Sequence, residues 1–166
     1  MITLDLASQL TLYSCTYFFC NFSFGTTNML KWDDIYKLGN VKIDAEHRIF
    51  LELIIEFQEA VVQSRSKDKL ITIVKEISKY AEFHFLSEEN IMAEYNYPEQ
   101  EQHTQIHKML ISEIHDKLYQ LINGEINPVA IFNFLFQWFA FHTTTEDKKL
   151  VDHIKNGSWT EDMPCN

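Results

Sequence analysis

Glycine and proline are scarce in this chain of 166 residues, which contains four glycines and three prolines. Tight turns favour both residue types, so a chain with so few of them has few tight turns. The sequence also lacks an internal repeat, a low-complexity linker and the alternating pattern typical of strands. Since 46% of the residues are hydrophobic, enough for a proper core, we expect a single domain of long helices.

Positive charge and cysteine are also in short supply. Fourteen Lys and Arg residues face 24 Asp and Glu residues, and the formal net charge of −10 argues against nucleic acid or a membrane as a partner. The three cysteines, Cys15, Cys20 and Cys165, have no zinc-type spacing and do not resemble a disulfide framework. We therefore expect a reducing, cytoplasmic location.

The N-terminal segment is nearly uncharged, with Asp5 as its only charged residue. Its apolar run, from Leu10 to Phe24, lacks the basic region of a signal peptide and is too short and polar for a membrane-spanning helix. Three interpretations stay open: a loosely packed extension, a degenerate export or anchor segment, or an upstream start codon. We expect an extension outside the core, a helical domain and a tail, at residues 1–28, 29–156 and 157–166.

Apolar residues spaced three and four apart predict four helices. The first three cover about 44–66, 68–95 and 99–123, with Asp44 as the first N-cap and Gly124 ending the third. The pair Asn127-Pro128 opens the fourth.

The fourth helix is apolar nearly all round from Ile131 to Phe141, as expected of a helix buried on most of its circumference, and Thr143 to Thr145 loosen it. Short connections then predict an all-α fold, an up-down-up-down four-helix bundle with an N-terminal arm.

Side chains that can bind metal lie on the inward faces of all four predicted helices. His84 and Glu88 are one helical turn apart, as are His103 and His107, so each pair can reach a single site. A turn signal ending at Pro98 separates the two pairs. The whole set is His47, His84, Glu88, His103, His107, His142 and Asp147.

Taken one at a time, each of these residues is more simply a hydrogen-bonded core or boundary residue. Taken together, they would bury several imidazoles and two carboxylates with no Lys or Arg on those faces, at a cost on the order of several kcal/mol per unpaired charge. A metal centre removes that cost. Imidazole suits iron, copper, zinc and nickel, and the lack of cysteine ligands disfavours structural zinc and iron–sulfur clusters. Because seven ligands exceed what one ion accepts, we expect two ions bridged by the carboxylates.

These residues, together with two tryptophans, resemble the signature of the hemerythrin family in its bacterial single-domain form. The resemblance covers roughly residues 30–155. The matching positions are Trp32, His47, His84-x-x-x-Glu88, His103-x-x-x-His107, Trp138 and His142-x-x-x-x-Asp147.

The resemblance implies two iron ions with unequal ligand sets. His103, His107 and His142 would complete the coordination of one iron. His47 and His84 would hold the other and leave a position open for dioxygen. The bridges would be Glu88, Asp147 and an oxo or hydroxo group derived from solvent.

The implied function is reversible dioxygen binding, for oxygen transport, storage or scavenging, without enzyme activity. Phe50, Trp138 and Phe139 are candidates to line the oxygen pocket, although ordinary core packing explains each of them as well. Two other functions stay open: a di-iron oxidase, peroxidase or nitric oxide-handling enzyme, and an oxygen or redox sensor acting through an unknown protein partner. His115 and His153 fall outside the set and are expected at the surface.

Overall fold

The computed structural model describes residues 30–157, and within them it contains five α-helices and no strand. The helices are α1 (Val41–Val62), α2 (Lys67–Glu94), α3 (Gln100–Asn123), α4 (Pro128–His142) and α5 (Lys148–Asn156). A 3-10 turn, Asp34–Tyr36, precedes α1, and a π-helical turn, Thr143–Asp147, joins α4 to α5. Short connections make α1 to α4 antiparallel neighbours, which confirms the predicted four-helix bundle.

The ends of the chain lie outside the described residues. These ends include the predicted extension, nearly all of the predicted tail and all three cysteines. The domain boundaries therefore remain predictions. No helix within residues 30–157 is long and apolar enough to cross a membrane.

Helix α1 begins earlier than expected. Its N-cap is Asn40, whose side chain accepts hydrogen bonds from the backbone N–H groups two and three residues on. The prediction of Asp44 as the cap is wrong because this carboxylate serves the preceding loop. Its two oxygens accept from the N–H of Leu38 at 2.8 Å and of Gly39 at 2.9 Å. Gly39 has a φ of +88°, a conformation that glycine adopts without strain.

The other helix ends follow the sequence signals more closely. α1 stops at Val62 rather than near Ser66, which instead caps α2. Gly124 ends α3 in the left-handed conformation, with φ +74°. Asn127 caps α4 with Pro128 in its first turn, as predicted. The fourth helix is less enclosed than expected, since Phe141 is 43% exposed.

Two apolar clusters fill the bundle, one on each side of a polar layer. The smaller cluster consists of Leu38, Ile43, Ile91, Met92, Tyr97, Leu150 and Val151. On α1, His47 lies between Ile43 of this cluster and Phe50 of the larger one. Glu88 has the corresponding place on α2. The bundle therefore holds the metal-competent residues in its interior, between two apolar regions.

Candidate metal centre

All seven predicted ligands meet in the polar layer. Each is buried, at most 2% exposed. The contributions are His47 from α1, His84 and Glu88 from α2, His103 and His107 from α3, and His142 and Asp147 from α4 and the π-helical turn.

The seven residues form two overlapping groups. Within each group, one ligand atom from every residue lies within 4.8 Å of the others. The three-histidine half contains His103, His107 and His142, and the two-histidine half contains His47 and His84. Both halves include Glu88 and Asp147, so the two carboxylates are shared.

Asp147 presents one oxygen to each half. Its Oδ1 lies 3.0 Å from Nε2 of His142 and 3.2 Å from Nε2 of His103. Its Oδ2 lies 3.1 Å from Nε2 of His47. This arrangement would allow Asp147 to bridge two ions.

Glu88 divides its oxygens in the same way. Its Oε2 lies 3.4 Å from Nε2 of His107 in the three-histidine half. Its Oε1 lies 3.7 Å from Nε2 of His47 and 3.8 Å from Nε2 of His84. These distances are longer than those between Asp147 and its histidines, so there is more space around the Glu88 carboxylate than around the Asp147 carboxylate.

The π-helical turn brings Asp147 into the site. Residues five apart in an α-helix point about 140° away from each other, because each residue turns the helix by about 100°. The π-helical turn spans five residues and closes this angle. Thr144 and Thr145 donate from Oγ1 to the carbonyls of Ala140 and Phe141, at 2.6 Å and 2.7 Å. The threonine run therefore loosens the helix as predicted.

Several buried polar atoms at the centre have no hydrogen-bond partner among the described residues. They include both carboxylate oxygens of Glu88 and of Asp147 and both ring nitrogens of His47. Nε2 of His47 is only 3.1 Å from Asp147, but the two groups are not aligned as donor and acceptor. Buried polar groups without partners are costly. A cation between them would satisfy the oxygens and Nε2 together, so the residues present fit a metal.

The electrostatics of the site also favour positive charge at its centre. Burial lowers the pKa of His47, but Asp147 and Glu88 outweigh burial and raise this pKa to about 10. Burial and Asp147 raise the pKa of Glu88, but His84 and the neighbouring imidazoles lower it to about 2. The pKa of Asp147 also falls well below its usual range, because its attraction to His142 and to other imidazoles exceeds the effect of burial.

Two carboxylates behind the ligands were missed by sequence reasoning. Glu46, which is buried, lies 3.0 Å through Oε2 from Nδ1 of His84. Glu89 lies 3.2 Å through Oε1 from Nδ1 of His107. A sequence signal existed for both, because Glu46 directly precedes His47 and Glu89 directly follows Glu88.

Aromatic rings surround the two-histidine half, including all three predicted pocket residues. The ring of Phe50 lies 5.9 Å from that of His84, and the ring of Phe139 lies 6.0 Å from that of His47. Trp138 lies 5.4 Å from Phe50. These contacts place the three rings beside the ligands, and their role in an oxygen pocket remains a prediction.

Aromatic residues also cover the three-histidine half. Trp138 stacks on His142 at 5.2 Å, and Phe85 stacks on His107 at 4.1 Å with an interplanar angle of 6°. Phe85 was not singled out in the sequence, although it lies three residues before Glu88 and hence on the same face of α2.

The remaining residues of interest lie away from the centre. Trp32 packs in the N-terminal arm beneath the guanidinium of Arg48, 4.6 Å from the ring centroid. His115 is half exposed, as predicted. His153, also expected at the surface, is partly exposed where α5 packs on the loop after α2. Its Nε2 lies 3.0 Å from the carbonyl oxygen of Tyr95.

The fold and site together define a metal-binding four-helix bundle. The chain belongs to the hemerythrin family, since residues 38–154 match the family described as "Hemerythrin HHE cation binding domain". It is 28% identical to a bacteriohemerythrin of Clostridium acetobutylicum, over 75% of this chain and all of the relative. For a bacteriohemerythrin of Campylobacter jejuni, the identity is 26% over 74% of this chain and 93% of the relative.

Solved structures have the same fold. A crystal structure of a hemerythrin mutant superimposes with a TM-score of 0.68 at 18% identity, covering 75% of this chain and 96% of the other. The family match over residues 38–154 confirms the family predicted from the sequence, and these structures confirm the fold.

Proposed function

We propose that this protein binds dioxygen reversibly at a centre of two non-haem irons, for oxygen storage, delivery or scavenging. Membership of the hemerythrin family supports this, because its proteins bind iron and dioxygen and are not enzymes. The observation that carries the proposal is that the two halves are unequal. One half has three imidazoles, the other has two, and both share the same two carboxylates.

The unequal halves give each ion a different role. The imidazoles of His103, His107 and His142, with the two carboxylates, would complete the surroundings of one iron. His47 and His84 would hold the other iron with one ligand fewer. Glu88 and Asp147 would be shared by the two ions, with a solvent-derived oxo or hydroxo as a third bridge. When bound, the iron pair supplies the open coordination position and the electrons that dioxygen binding requires.

The aromatic residues of the two-histidine half would form the wall of the oxygen pocket. Phe50 and Phe139 are fully buried and lie against the histidines on this side. Such a wall keeps water from the site and lowers the dielectric around it. Trp138 adds a buried indole N–H with no hydrogen-bond partner among the described residues, which is free to donate to a small guest.

The same proposal covers partners and location. Dioxygen is the expected ligand, with no nucleic acid or membrane partner, because a net charge of −10 repels both polyanions and anionic lipids. The cysteine spacing in the sequence supports a cytoplasmic location.

Metal analysis with anaerobic and aerobic absorption spectra tests the proposal. We expect about two irons per chain and a visible band that appears with air and disappears on deoxygenation. Irreversible conversion to a ferric form, or turnover of peroxide or nitric oxide, would favour an enzyme or a sensor instead. Zinc in place of iron after iron-replete expression would reject the centre itself.

A further inference from the structure

One residue of α1, Glu46, accepts hydrogen bonds from three residues of α2. Tyr80 donates from its hydroxyl to the main-chain carbonyl of Glu46 at 3.1 Å. Ser87 donates from Oγ to Oε1 at 2.8 Å, and Nδ1 of His84 lies 3.0 Å from Oε2. Because positions 80, 84 and 87 share one face of a helix, Glu46 is held at a fixed point opposite that face.

We propose that Glu46 is a positioning residue that orients His84 for metal binding in the two-histidine half. A carboxylate only accepts hydrogen bonds, so the ring hydrogen of His84 is fixed on Nδ1. The lone pair of Nε2 then points toward the shared carboxylates, as a metal ligand requires. The inference rests on the proposed function only in requiring that the site binds metal.

The position of Glu46 in the sequence ties the orienting group to the ligands. Glu46 directly precedes His47, and its partner Ser87 directly precedes Glu88. Any movement of α1 against α2 would therefore shift His47, and the hold on His84 with it. Both oxygens of the Glu46 carboxylate are engaged, and the residue is only 7% exposed, so water has little access to replace either contact.

The comparison with Glu89 shows why Glu46 has the larger role. Glu89 stands 3.2 Å from Nδ1 of His107, but its side chain is 28% exposed, so water can replace this contact. In the two-histidine half, Nδ1 of His47 has no hydrogen-bond partner among the described residues. Glu46 is therefore the group that orients an imidazole in the half with fewer ligands.

The tautomer of His84 in the metal-free protein tests this role without iron. Nitrogen-detected NMR of the imidazoles is expected to show the hydrogen of His84 on Nδ1 in the wild type. Glu46→Ala should remove this preference, whereas Glu46→Gln should keep it, because the amide oxygen still accepts. Glu89→Ala serves as the matched control and should leave His84 unchanged.

Anaerobic titration with iron(II) against a chelator tests the consequence for metal binding. Glu46→Ala should weaken the affinity for iron in the two-histidine half by about 10- to 100-fold. The affinity for iron in the three-histidine half should be nearly unchanged. Ser87→Ala, which removes the hydrogen bond to Oε1 of Glu46, should give a smaller loss of affinity in the same direction. Should Glu46→Ala fail to fold, Ser87→Ala applies the same test, with Glu46→Gln as the variant that should keep the wild-type affinity.

Wild-type affinity for both irons in Glu46→Ala, with the His84 tautomer unchanged, would overturn the proposal and leave Glu46 a purely structural role. The proposed function fails separately: the wild type would then take up two irons without a reversible response to dioxygen. In that case the loss of affinity for iron in the two-histidine half of Glu46→Ala would still support the positioning role.

Discussion

Oδ1 of Asp147 lies 3.0 Å from Nε2 of His142, although the two residues are five positions apart in a continuous helix. The π-helical turn makes this contact, since an α-helix would direct the two side chains about 140° apart. With its other oxygen, Asp147 reaches His47 on the opposite side of the site. A single helical segment thus supplies a candidate ligand to one half and a carboxylate that contacts both halves.

Asp147→Asn should disrupt the dinuclear site while changing the shape of the side chain very little. The amide has one oxygen and no charge, so it cannot replace a carboxylate that faces both halves. We expect less iron per chain and loss of the visible band, measured by iron quantitation and absorption spectroscopy. Asp152→Asn on α5, a half-exposed carboxylate paired with Lys148, is the control and should behave as the wild type.

Replacing His103 or His107 with Ala should abolish iron binding and lower the melting temperature. Both imidazoles are buried in the three-histidine half, and metal binding of this kind is coupled to folding. Iron content and thermal unfolding with and without iron measure the effect. His115→Ala, at a half-exposed position on the same helix, should change neither. Iron content equal to that of the wild type in both ligand variants would refute the assignment.

The sequence was sufficient to predict the helices and which metal-competent side chains come together, because a single helical period determines both. Inward residues recur every three or four positions, and His84 with Glu88 or His103 with His107 obey that rule directly. Asp147 does not follow this spacing, because it lies five residues after His142. Its position after His142 and three threonines was the signal that placed it in the site.

Contacts between helices could not be predicted in the same way. Helical periodicity shows that Glu46 lies beside an inward face, but not that His84 and Ser87 of another helix lie opposite. Capping was also ambiguous, since Asn40 and Asp44 are both good N-cap residues. Asn40 caps the helix because the carboxylate of Asp44 is engaged with the backbone of the arm. The hydrogen-bond partner of His153 could not be predicted for the same reason, because it comes from another helix–loop segment.

Phe139→Ala should weaken both the core and the proposed oxygen pocket. Phe139 is 1% exposed and packs against His47 and Phe50, so its loss should lower the free energy of unfolding by about 3–5 kcal/mol. The cavity would also admit water to the two-histidine half and accelerate oxidation of the iron pair to the ferric form. The oxidation rate in air, followed by the visible spectrum, measures this second effect.

Phe141→Ala is the matched control for this prediction, since Phe141 lies in the same helix, α4, but is 43% exposed. It should lose less stability and oxidise at the wild-type rate. Equal oxidation rates in the two variants would remove Phe139 from the pocket wall and leave it a core residue only.

The metal-free protein should be most stable in mildly acidic solution. The pKa of His47 is raised from 6.5 to about 10 in the folded state, so its contribution is complete below pH 6.5 and is lost as the pH rises toward 10. The pKa of Glu88 is lowered from 4.5 to about 2, so its contribution is complete above pH 4.5 and is lost as the pH falls toward 2. The depressed pKa of His142 acts against folding below pH 6.5 and moves the optimum toward the upper end of this window.

Thermal unfolding of the metal-free protein across this pH range measures the effect. His47→Gln should flatten the alkaline side of the profile, because the group that loses its proton there is gone. Bound iron should reverse the trend above pH 6.5, since the metal takes the place of the protons and their release favours binding. A melting temperature of the metal-free protein that rises from pH 6.5 toward pH 10 would contradict the charge arrangement described for the centre.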